Sequence, residues 1–239
     1  MSGLPERRPG LLVLVDPARS DPERAARLAE EARAAGAAGV LIGSSFDGTR
    51  DTGRIARAIR QAAPGLPVLL FPGSAMQLTE EVDAVLFLSL VSGRNAQYLI
   101  EEHVRAVPFL ERHPVPTIST AYILIDGGRV TSVEAVSQTR PLPADKPELA
   151  VAHAVAARRI GMQALYLDAG SGADRPVAPA VIRACRAAVT DVPLLVGGGM
   201  RTPEQARAAR EAGADFVVVG TVLEAGAAAV RDFQRAVAG

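Results

Sequence analysis

The sequence predicts a single α/β domain, residues 1–239, in which parallel strands and helices alternate and close into a barrel. Short apolar runs recur along the chain, amphipathic stretches rich in Ala, Arg and Glu separate them, and the runs number eight. Parallel strands are buried on both faces and therefore read as continuous apolar runs, and eight of them match a (β/α)8, or TIM, barrel. The candidate strands are Leu11–Val15, Val40–Ile42, Val68–Phe71, Val85–Leu88, Thr117–Ile125, Ala164–Leu167, Leu194–Val196 and Phe216–Val219.

Helix start signals stand between the candidate strands. Thr202–Gln205 offers a capping threonine, a proline in the first turn and a glutamine at the capping-box position. Asn95 is expected to cap another helix, which Pro108 bends or ends. The expected inner face of that helix carries Ile100, Val104 and Val107. These signals support the alternation of strands and helices.

The segment after the fifth strand breaks this alternation. Asp126-Gly127-Gly128 is a turn signal between two apolar runs, so the sequence predicts a β-hairpin inserted after strand five. Such a hairpin would project from the top of the barrel. The polar stretch Ser137–Pro147, which contains three prolines, is expected to form a loop that covers the site.

Composition and charge exclude several classes of function. The 26 basic and 26 acidic residues balance, so no basic field recommends a nucleic-acid partner. The first apolar run, Leu11–Val15, is too short for a signal peptide or a membrane span. Cys185 has no second cysteine for an internal disulfide, which fits a reducing compartment. We therefore expect a soluble, cytoplasmic protein.

The basic side chains restrict the chemistry further. Lys146 is the only lysine, and arginine cannot replace lysine in a Schiff-base mechanism. His103 and His153 fall within helical stretches and His113 falls in a loop, so none stands at a strand end. This placement argues against a histidine base or a histidine-bound metal. Carboxylates, hydroxyls and backbone amides are therefore the expected catalytic groups.

Glycine-rich turns follow the last three strands, at the end of a barrel where active sites lie. They are Gly170–Gly172, Gly197–Gly199 and Gly220-Thr221. Glycines let the backbone come close to a ligand and point several amides at it, and a helix start behind them favours an anion. The competing interpretation is that these glycines only allow tight turns. The pattern favours a phosphate site.

Asp16 ends the first strand, and Ser45 lies in the loop after the second. One carboxylate and a neighbouring hydroxyl make a plausible sparse magnesium site, because magnesium takes one or two protein carboxylates and leaves other positions to water and substrate phosphates. The competing interpretation makes Asp16 a helix-entry cap beside Ser20. We favour the metal site.

Asp168 stands at the end of the sixth strand, and Tyr166 points to the same side of that strand two residues earlier. A carboxylate there could accept a proton from a substrate hydroxyl. It could equally be a structural carboxylate satisfied by loop amides. The sequence pattern alone leaves both interpretations open.

These residues sit in motifs that occur in order over nearly the whole chain. The motifs are Val15-Asp16-Pro17, Phe71-Pro72-Gly73, Ser92-Gly93-Arg94-Asn95, Ala121-Tyr122-Ile123, Asp145-Lys146-Pro147-Glu148, Tyr166–Gly172, Val196–Pro203 and Gly220-Thr221. In them the chain resembles geranylgeranylglyceryl phosphate synthases and the related heptaprenylglyceryl phosphate synthases. The Tyr-Leu-carboxylate-Ala-Gly-Ser-Gly motif is specific, whereas the glycine turns alone would not be.

The resemblance implies a magnesium-dependent prenyltransferase with a TIM-barrel fold. It would join a geranylgeranyl-like prenyl diphosphate to the terminal hydroxyl of sn-glycerol 1-phosphate, form an ether bond and release diphosphate. The resemblance also implies a homo-oligomer, and the lipid product allows peripheral contact with a membrane.

The same resemblance assigns roles to residues. Asp16 and Ser45 would hold magnesium against the diphosphate. Asp168 would orient the attacking hydroxyl and take its proton, with Tyr166 beside it. The residues implied to hold the glycerol phosphate are Tyr166, Gly170, Ser171, Gly172, Gly198, Gly199, Gly220 and Thr221.

The chain departs from the family pattern at several positions. Asp168 replaces the usual glutamate and is one methylene shorter, and Gly43-Ser44-Ser45 replaces the usual Gly-Gly-Ser. A different phosphorylated acceptor, such as the 3-phosphoglycerate used by a relative in moenomycin biosynthesis, is therefore a competing prediction. A phosphosugar isomerase or aldolase, or a non-catalytic phosphate-binding scaffold, is also compatible with the sequence, since its glycine-rich loops would look the same.

Overall fold

The computed structural model describes residues 3–6, 9–46, 51–223 and 228–239. Parallel strands pair in sequence order, and the eighth pairs with the first, so the barrel is closed. This confirms the predicted fold class and all the candidate strands. The strands are β1 Gly10–Val15, β2 Gly39–Ile42, β3 Val68–Leu70, β4 Ala84–Leu90, β5 Thr117–Leu124, β6 Ala164–Asp168, β7 Leu194–Gly197 and β8 Phe216–Val219.

Helices surround the barrel. They are α1 Pro22–Ala35, α2 Thr52–Ala62, α3 Glu102–Leu110, α4 Ser132–Ser137, α5 Pro147–Arg159, α6 Pro179–Ala188, α7 Pro203–Glu211 and α8 Ala228–Ala238. α7 begins with the predicted capping box, in which the Thr202 side chain accepts from the Gln205 amide and the Gln205 side chain accepts from the Thr202 amide. No helix within the described ranges is both long and apolar enough to cross a membrane.

Side chains alternate between two apolar layers along each strand. In β8, Phe216 and Val218 belong to the cluster inside the barrel, whereas Val217 and Val219 pack against the helices. In β6, Tyr166 belongs to the inner cluster. Asp168 follows two residues later and shares its face, because side chains in a strand repeat with a period of two. The alternation therefore places both predicted catalytic groups inside the barrel, at its carboxyl end.

The connection between β3 and β4 leaves a gap in the layer of helices around the closed barrel. It contains a single 3-10 turn, Ala75–Gln77, instead of an α-helix. The last rung between the two strands joins Leu70 to Val85, whereas β4 continues to Leu90. Phe87 and Leu88 on the unpaired edge of β4 are only partly buried as a result. The gap in the helical layer therefore leaves this edge of β4 partly accessible.

The structure corrects the predicted hairpin after strand five. The chain turns at Asp126, whose Oδ1 accepts from the Gly128 amide 2.8 Å away, but it then enters the short helix α4 instead of a return strand. Between β5 and α5, a segment that the structure describes throughout, strand pairing is limited to an isolated parallel bridge from Ile125 to Leu142. The predicted turn is present, but a turn does not determine which element follows it.

The predicted inner face of α3 is also wrong. Ile100, Val104 and Val107 are 56%, 64% and 48% exposed. A π-helical turn, Gln97–Glu101, precedes α3 and contains Ile100, so this segment departs from the regular α-helical period on which the predicted face was based. The helix instead turns Glu102 inward, and its carboxylate accepts from the Ala75 amide at 2.7 Å.

The ends of this helical segment differ in how well the sequence predicts them. The helix continues through Pro108 to Leu110, so the proline does not end it. At the other end, the Asn95 side chain accepts from the Gln97 amide at 3.1 Å, as a capping residue does. Its Nδ2 also donates to the Ser137 carbonyl at the end of α4, which fixes α4 beside the π-helical turn.

Candidate active site

A cavity of about 330 Å³ opens at the carboxyl ends of the strands. Its wall is formed by residues from many separate parts of the chain, as a barrel predicts. The predicted site residues that line it are Asp16, Ser45, Tyr166, Asp168, Ser171, Gly172, Gly198, Gly199, Gly220 and Thr221. The structure therefore brings together nearly the whole predicted set.

Gly170 is the predicted site residue that does not line the cavity. Its amide donates to Asp168 Oδ1 at 2.9 Å, so this amide holds a carboxylate and is not free for a phosphate. Gly170 has a φ of 86°, and a Cβ added to it would lie 2.5 Å from Thr131 Oγ1. Glycine is needed here so that the loop can turn back onto Asp168.

Asp168 is 5% exposed and accepts two hydrogen bonds. Gly170 donates to its Oδ1, and the Tyr122 hydroxyl donates to its Oδ2 at 2.5 Å. Burial raises the pKa of Asp168, and the bonds from Tyr122 and Gly170 partly oppose that rise because they favour the charged form. The two hydrogen bonds fix the orientation of the carboxyl group, and its pKa stays above the ordinary value.

Tyr122 belongs to one of the sequence motifs, but the sequence alone assigns it no role. It lies directly opposite Tyr166 in the β5–β6 register, so both phenols point into the barrel from adjacent strands. Their ring centroids are 5.5 Å apart, and Phe71 meets Tyr166 edge-on at 4.9 Å. Burial, and then the charge of Asp168, raises the pKa of both tyrosines well above the ordinary value. Both phenols therefore stay protonated, and that of Tyr122 donates to Asp168.

The glycine turn after β7 lies against β6. A Cβ on Gly197 would approach the Tyr166 hydroxyl to 2.3 Å, and one on Gly199 would approach the Arg175 carbonyl oxygen to 2.6 Å. Gly198 and Gly199 have positive φ values of 76° and 67°. These positions therefore require glycine for both space and backbone conformation.

Backbone amides at the glycine turns are available to a ligand. In the part of the chain that the structure describes, the amides of Ser171, Gly172, Gly198 and Gly199 have no hydrogen-bond acceptor. Unpaired amides of successive residues form anion-binding concavities, and α7 begins a few residues beyond Gly199. This part of the wall is chemically suited to a phosphate group.

Asp16 and Ser45 line the same cavity. Asp16 Oδ1 accepts from the Ala18 amide at 2.9 Å, and its Oδ2 lies 3.6 Å from Arg19 Nε. Asp16 does not cap α1, because the cap is Asp21, which accepts from the Arg24 amide.

The donor set at Asp16 decides which metals fit. The described residues contain no cluster of three His, Cys, Asp or Glu side chains. One carboxylate and one hydroxyl fit Mg²⁺, which fills its remaining positions with water and phosphate oxygens, and do not fit a metal that needs several protein ligands.

An apolar wall extends from this polar region towards α3. Its residues are Leu78, Leu86, Phe87, Leu88, Tyr98, Ala106, Val133 and Val136. Helix α4 supplies Val133 and Val136, so this helix covers the site. The predicted Ser137–Pro147 loop contributes only Ser137. The cavity thus combines a polar end near Asp168 with an apolar end beside β4.

The remaining candidate side chains take little part in the cavity. Lys146 is exposed at the start of α5 and does not line it. Burial raises the pKa of Cys185 to about 12, which leaves an inert thiol. His113 and His153 also lie outside the wall, whereas His103 lines it and packs on Phe87 with ring centroids 4.3 Å apart.

Known proteins are similar to this chain over most of its length. A family model described as the PcrB family matches residues 4–237. The chain belongs to the PcrB family. The geranylgeranylglyceryl phosphate synthase of Methanopyrus kandleri is 42% identical over 221 residues, which cover 92% of this chain and 91% of that protein. The synthase of Methanothrix thermoacetophila is 42% identical over 214 residues, which cover 89% and 83%.

A solved structure resembles this PcrB-family chain over nearly its whole length. It is the crystal structure of (S)-3-O-geranylgeranylglyceryl phosphate synthase from Thermoplasma acidophilum in complex with its substrate sn-glycerol-1-phosphate. Its TM-score is 0.89 at 33% identity, and the match covers 95% of this chain and 92% of that chain. The relatives' names describe prenyltransferases, and the PcrB-family chain is an enzyme of this class.

Proposed function

We propose that this chain is a magnesium-dependent prenyltransferase that forms an ether between a geranylgeranyl-like prenyl diphosphate and sn-glycerol 1-phosphate. The observation that carries the proposal is the position of Asp168 in one cavity, with unpaired amides near it and an apolar wall beyond. A phosphorylated alcohol and an apolar chain both fit such a cavity. The names of the synthases similar to this chain support the same pairing of substrates.

The acceptor phosphate would bind at the glycine turns. The amides of Ser171, Gly172, Gly198 and Gly199 would donate to it, with Gly220 and Thr221 completing the wall. Hydrogen bonds to a charged phosphate are stronger than those between neutral groups. Binding the phosphate there would leave the terminal hydroxyl of the glycerol free to reach Asp168.

Asp168 would then act as the proton acceptor, with Tyr166 beside it. The hydroxyl oxygen of the acceptor forms a bond to the first carbon of the prenyl chain. The bond from that carbon to the diphosphate oxygen breaks, and its electron pair leaves with the diphosphate. The hydroxyl proton passes to Asp168, whose raised pKa favours this transfer.

Asp16 and Ser45 are the residues that would hold Mg²⁺, and a bound ion supplies charge neutralisation to the diphosphate leaving group. The prenyl chain would lie along the apolar wall by β4 and α3. Each buried CH₂ group contributes about 0.8 kcal/mol, so a long chain supplies ample affinity. The two sites together would hold the bound substrates in line for attack.

A Schiff-base aldolase is a poorer explanation of the same cavity, because the only lysine, Lys146, is exposed and lies outside it. A changed acceptor remains a competing substrate, since Asp168 is shorter than glutamate. Arg19 and Arg201 also line the wall, where they could meet an additional carboxylate.

Mass spectrometry of competing substrates tests the proposal. The protein is mixed with Mg²⁺, prenyl diphosphates of several lengths, and equal amounts of sn-glycerol 1-phosphate and 3-phosphoglycerate. We expect the prenyl ether of glycerol phosphate as the main product, and its loss in Asp168→Asn. Asp232→Asn, an exposed aspartate on α8, serves as the matched control and should retain turnover. If a product formed only from 3-phosphoglycerate, that compound would be the acceptor in place of sn-glycerol 1-phosphate. If no pair of substrates gave a product, the proposal of prenyl transfer would be refuted.

A further inference from the structure

We propose that Tyr122 is a positioning residue that holds the Asp168 carboxylate towards the cavity and keeps it available as the proton acceptor. The proposal rests on the function assigned to Asp168 above. The Tyr122 hydroxyl donates to Asp168 Oδ2 at 2.5 Å, across 46 residues of sequence. Both groups line the cavity in which the substrates would bind.

The two hydrogen bonds on Asp168 divide its oxygens between them. Gly170 holds Oδ1 from the same loop, and Tyr122 holds Oδ2 from the neighbouring strand. Each carboxylate oxygen can accept more than one hydrogen bond, so a substrate hydroxyl can still bind. The pair of bonds therefore fixes the direction of the carboxylate without occupying it fully.

The phenol of Tyr122 is itself fixed by its surroundings. It is 6% exposed, and its ring meets Phe71 at 5.9 Å and Tyr166 at 5.5 Å between centroids. The strand register sets Tyr122 opposite Tyr166 and places Leu124 opposite Asp168. A donor held in this way before the substrate arrives contributes to preorganisation.

Few groups among the described residues act on Asp168. Tyr122 faces it from β5, Tyr166 faces it from β6, and the Gly170 amide faces it from the loop. Within the described residues, Asp168 forms no ion pair with any basic side chain. The other titratable or charged side chains of the wall are Asp16, Arg19, Tyr98, Glu102, His103 and Arg201. Tyr122 is thus the side-chain donor to Asp168.

The sign of the expected effect follows from these contacts. Burial raises the pKa of Asp168, and the Tyr122 hydrogen bond lowers it. Removing the hydroxyl in Tyr122→Phe therefore raises the pKa further. The carboxylate is the active form, so the acidic limb of the kcat profile should move to higher pH. A hydrogen bond to a charged group corresponds to a shift of about one to two pH units.

The test compares Tyr122→Phe with Thr120→Val. Thr120 is a buried residue two positions earlier on β5, and its hydroxyl donates to the Ile118 carbonyl instead of Asp168. The pH dependence of kcat is measured for wild type and both variants. We expect the acidic limb to shift upward in Tyr122→Phe only. An unshifted limb in Tyr122→Phe, or the same shift in Thr120→Val, would overturn the proposal.

A second measurement does not depend on turnover. Carbon-13 NMR of aspartate-labelled protein follows the Asp168 carboxyl through a pH titration, and Asp168→Asn identifies its signal. Tyr122→Phe should raise that titration midpoint, and an unchanged midpoint would contradict the positioning role. A raised midpoint in Tyr122→Phe, together with a wild type that forms no prenyl ether, would refute the proposed reaction and retain the Tyr122–Asp168 coupling.

Discussion

A methyl group on Gly198 would lie 2.2 Å from Asp168 Oδ1, so the β7 turn and the end of β6 fit together only when residue 198 is glycine. The same added Cβ would approach the Gly170 amide nitrogen to 2.5 Å. One turn thus contacts both the carboxylate and one of its two hydrogen-bond donors. This close approach links the phosphate-binding part of the cavity to the proton acceptor.

Gly198→Ala should therefore impair catalysis by displacing Asp168. A displacement of about 1 Å costs roughly 100-fold in rate, so kcat should fall by about that factor. Gly65→Ala separates this effect from backbone strain, because Gly65 also has a positive φ, 83°, but no atom within 4 Å of an added Cβ. Steady-state kinetics should show normal turnover in Gly65→Ala. Equal turnover in both variants would contradict the proposed contact.

Asp16→Ala should abolish turnover that depends on Mg²⁺ while leaving the fold intact. Asp21→Ala is the matched control on the same loop, since Asp21 caps α1 and Asp16 does not. Loss of that cap costs about 1 kcal/mol of stability, so Asp21→Ala should unfold at lower denaturant and keep its activity. Mg²⁺ titrations of activity and urea unfolding distinguish the two. Normal Mg²⁺ dependence in Asp16→Ala would refute the metal assignment.

Asp168 should make stability depend on pH in a defined direction. Its pKa in the folded protein is raised above 3.8, the ordinary value for an aspartate side chain, so folding favours its protonated form. The stabilisation from this group is complete at low pH and is lost as pH rises through the folded pKa. The unfolding free energy of wild type minus that of Asp168→Asn should fall by up to about 1.4 kcal/mol per pH unit across this range. Urea titrations over pH measure the difference, and a rise with pH would contradict the burial effect.

Leu88→Trp should shorten the preferred prenyl donor. Leu88 is partly buried on the edge of β4 that does not pair with β3, and it lines the apolar wall. A tryptophan ring there would occupy part of the cavity beside that wall. We expect KM to rise about tenfold or more for a geranylgeranyl donor, since several CH₂ groups would lose their burial. Short donors should be unaffected. Val130→Trp, at a 68% exposed position, is the control, and equal donor preference in both variants would place the chain elsewhere.

The strands and the glycine turns could be predicted because both depend on local sequence. Each strand contains a continuous apolar run, and the turn glycines at 197–199 mark the close approaches that the structure contains. In a barrel, parallel strands then bring their carboxyl ends together by geometry. This explains why residues as distant as Asp16 and Thr221 were correctly expected on one surface.

The remaining features depend on contacts that the sequence does not encode locally. The role of Tyr122 follows from its register against β6, and this register is set by the pairing of whole strands. The inward face of α3 is set by a π-helical turn and by Glu102 binding the Ala75 amide, where apolar periodicity suggested the opposite face. The Gly170 amide was expected at the phosphate but binds Asp168, which required knowledge of the loop path.

Oxygen-isotope transfer tests the central claim most directly. The protein is incubated with Mg²⁺, geranylgeranyl diphosphate and sn-glycerol 1-phosphate that carries oxygen-18 at its terminal hydroxyl. The masses of the ether product and of the released diphosphate are then measured by mass spectrometry. Attack by the hydroxyl that faces Asp168 predicts that the label is retained in the ether and that the released diphosphate is unlabelled. An ether that lacks the label, or labelled diphosphate, would contradict the account.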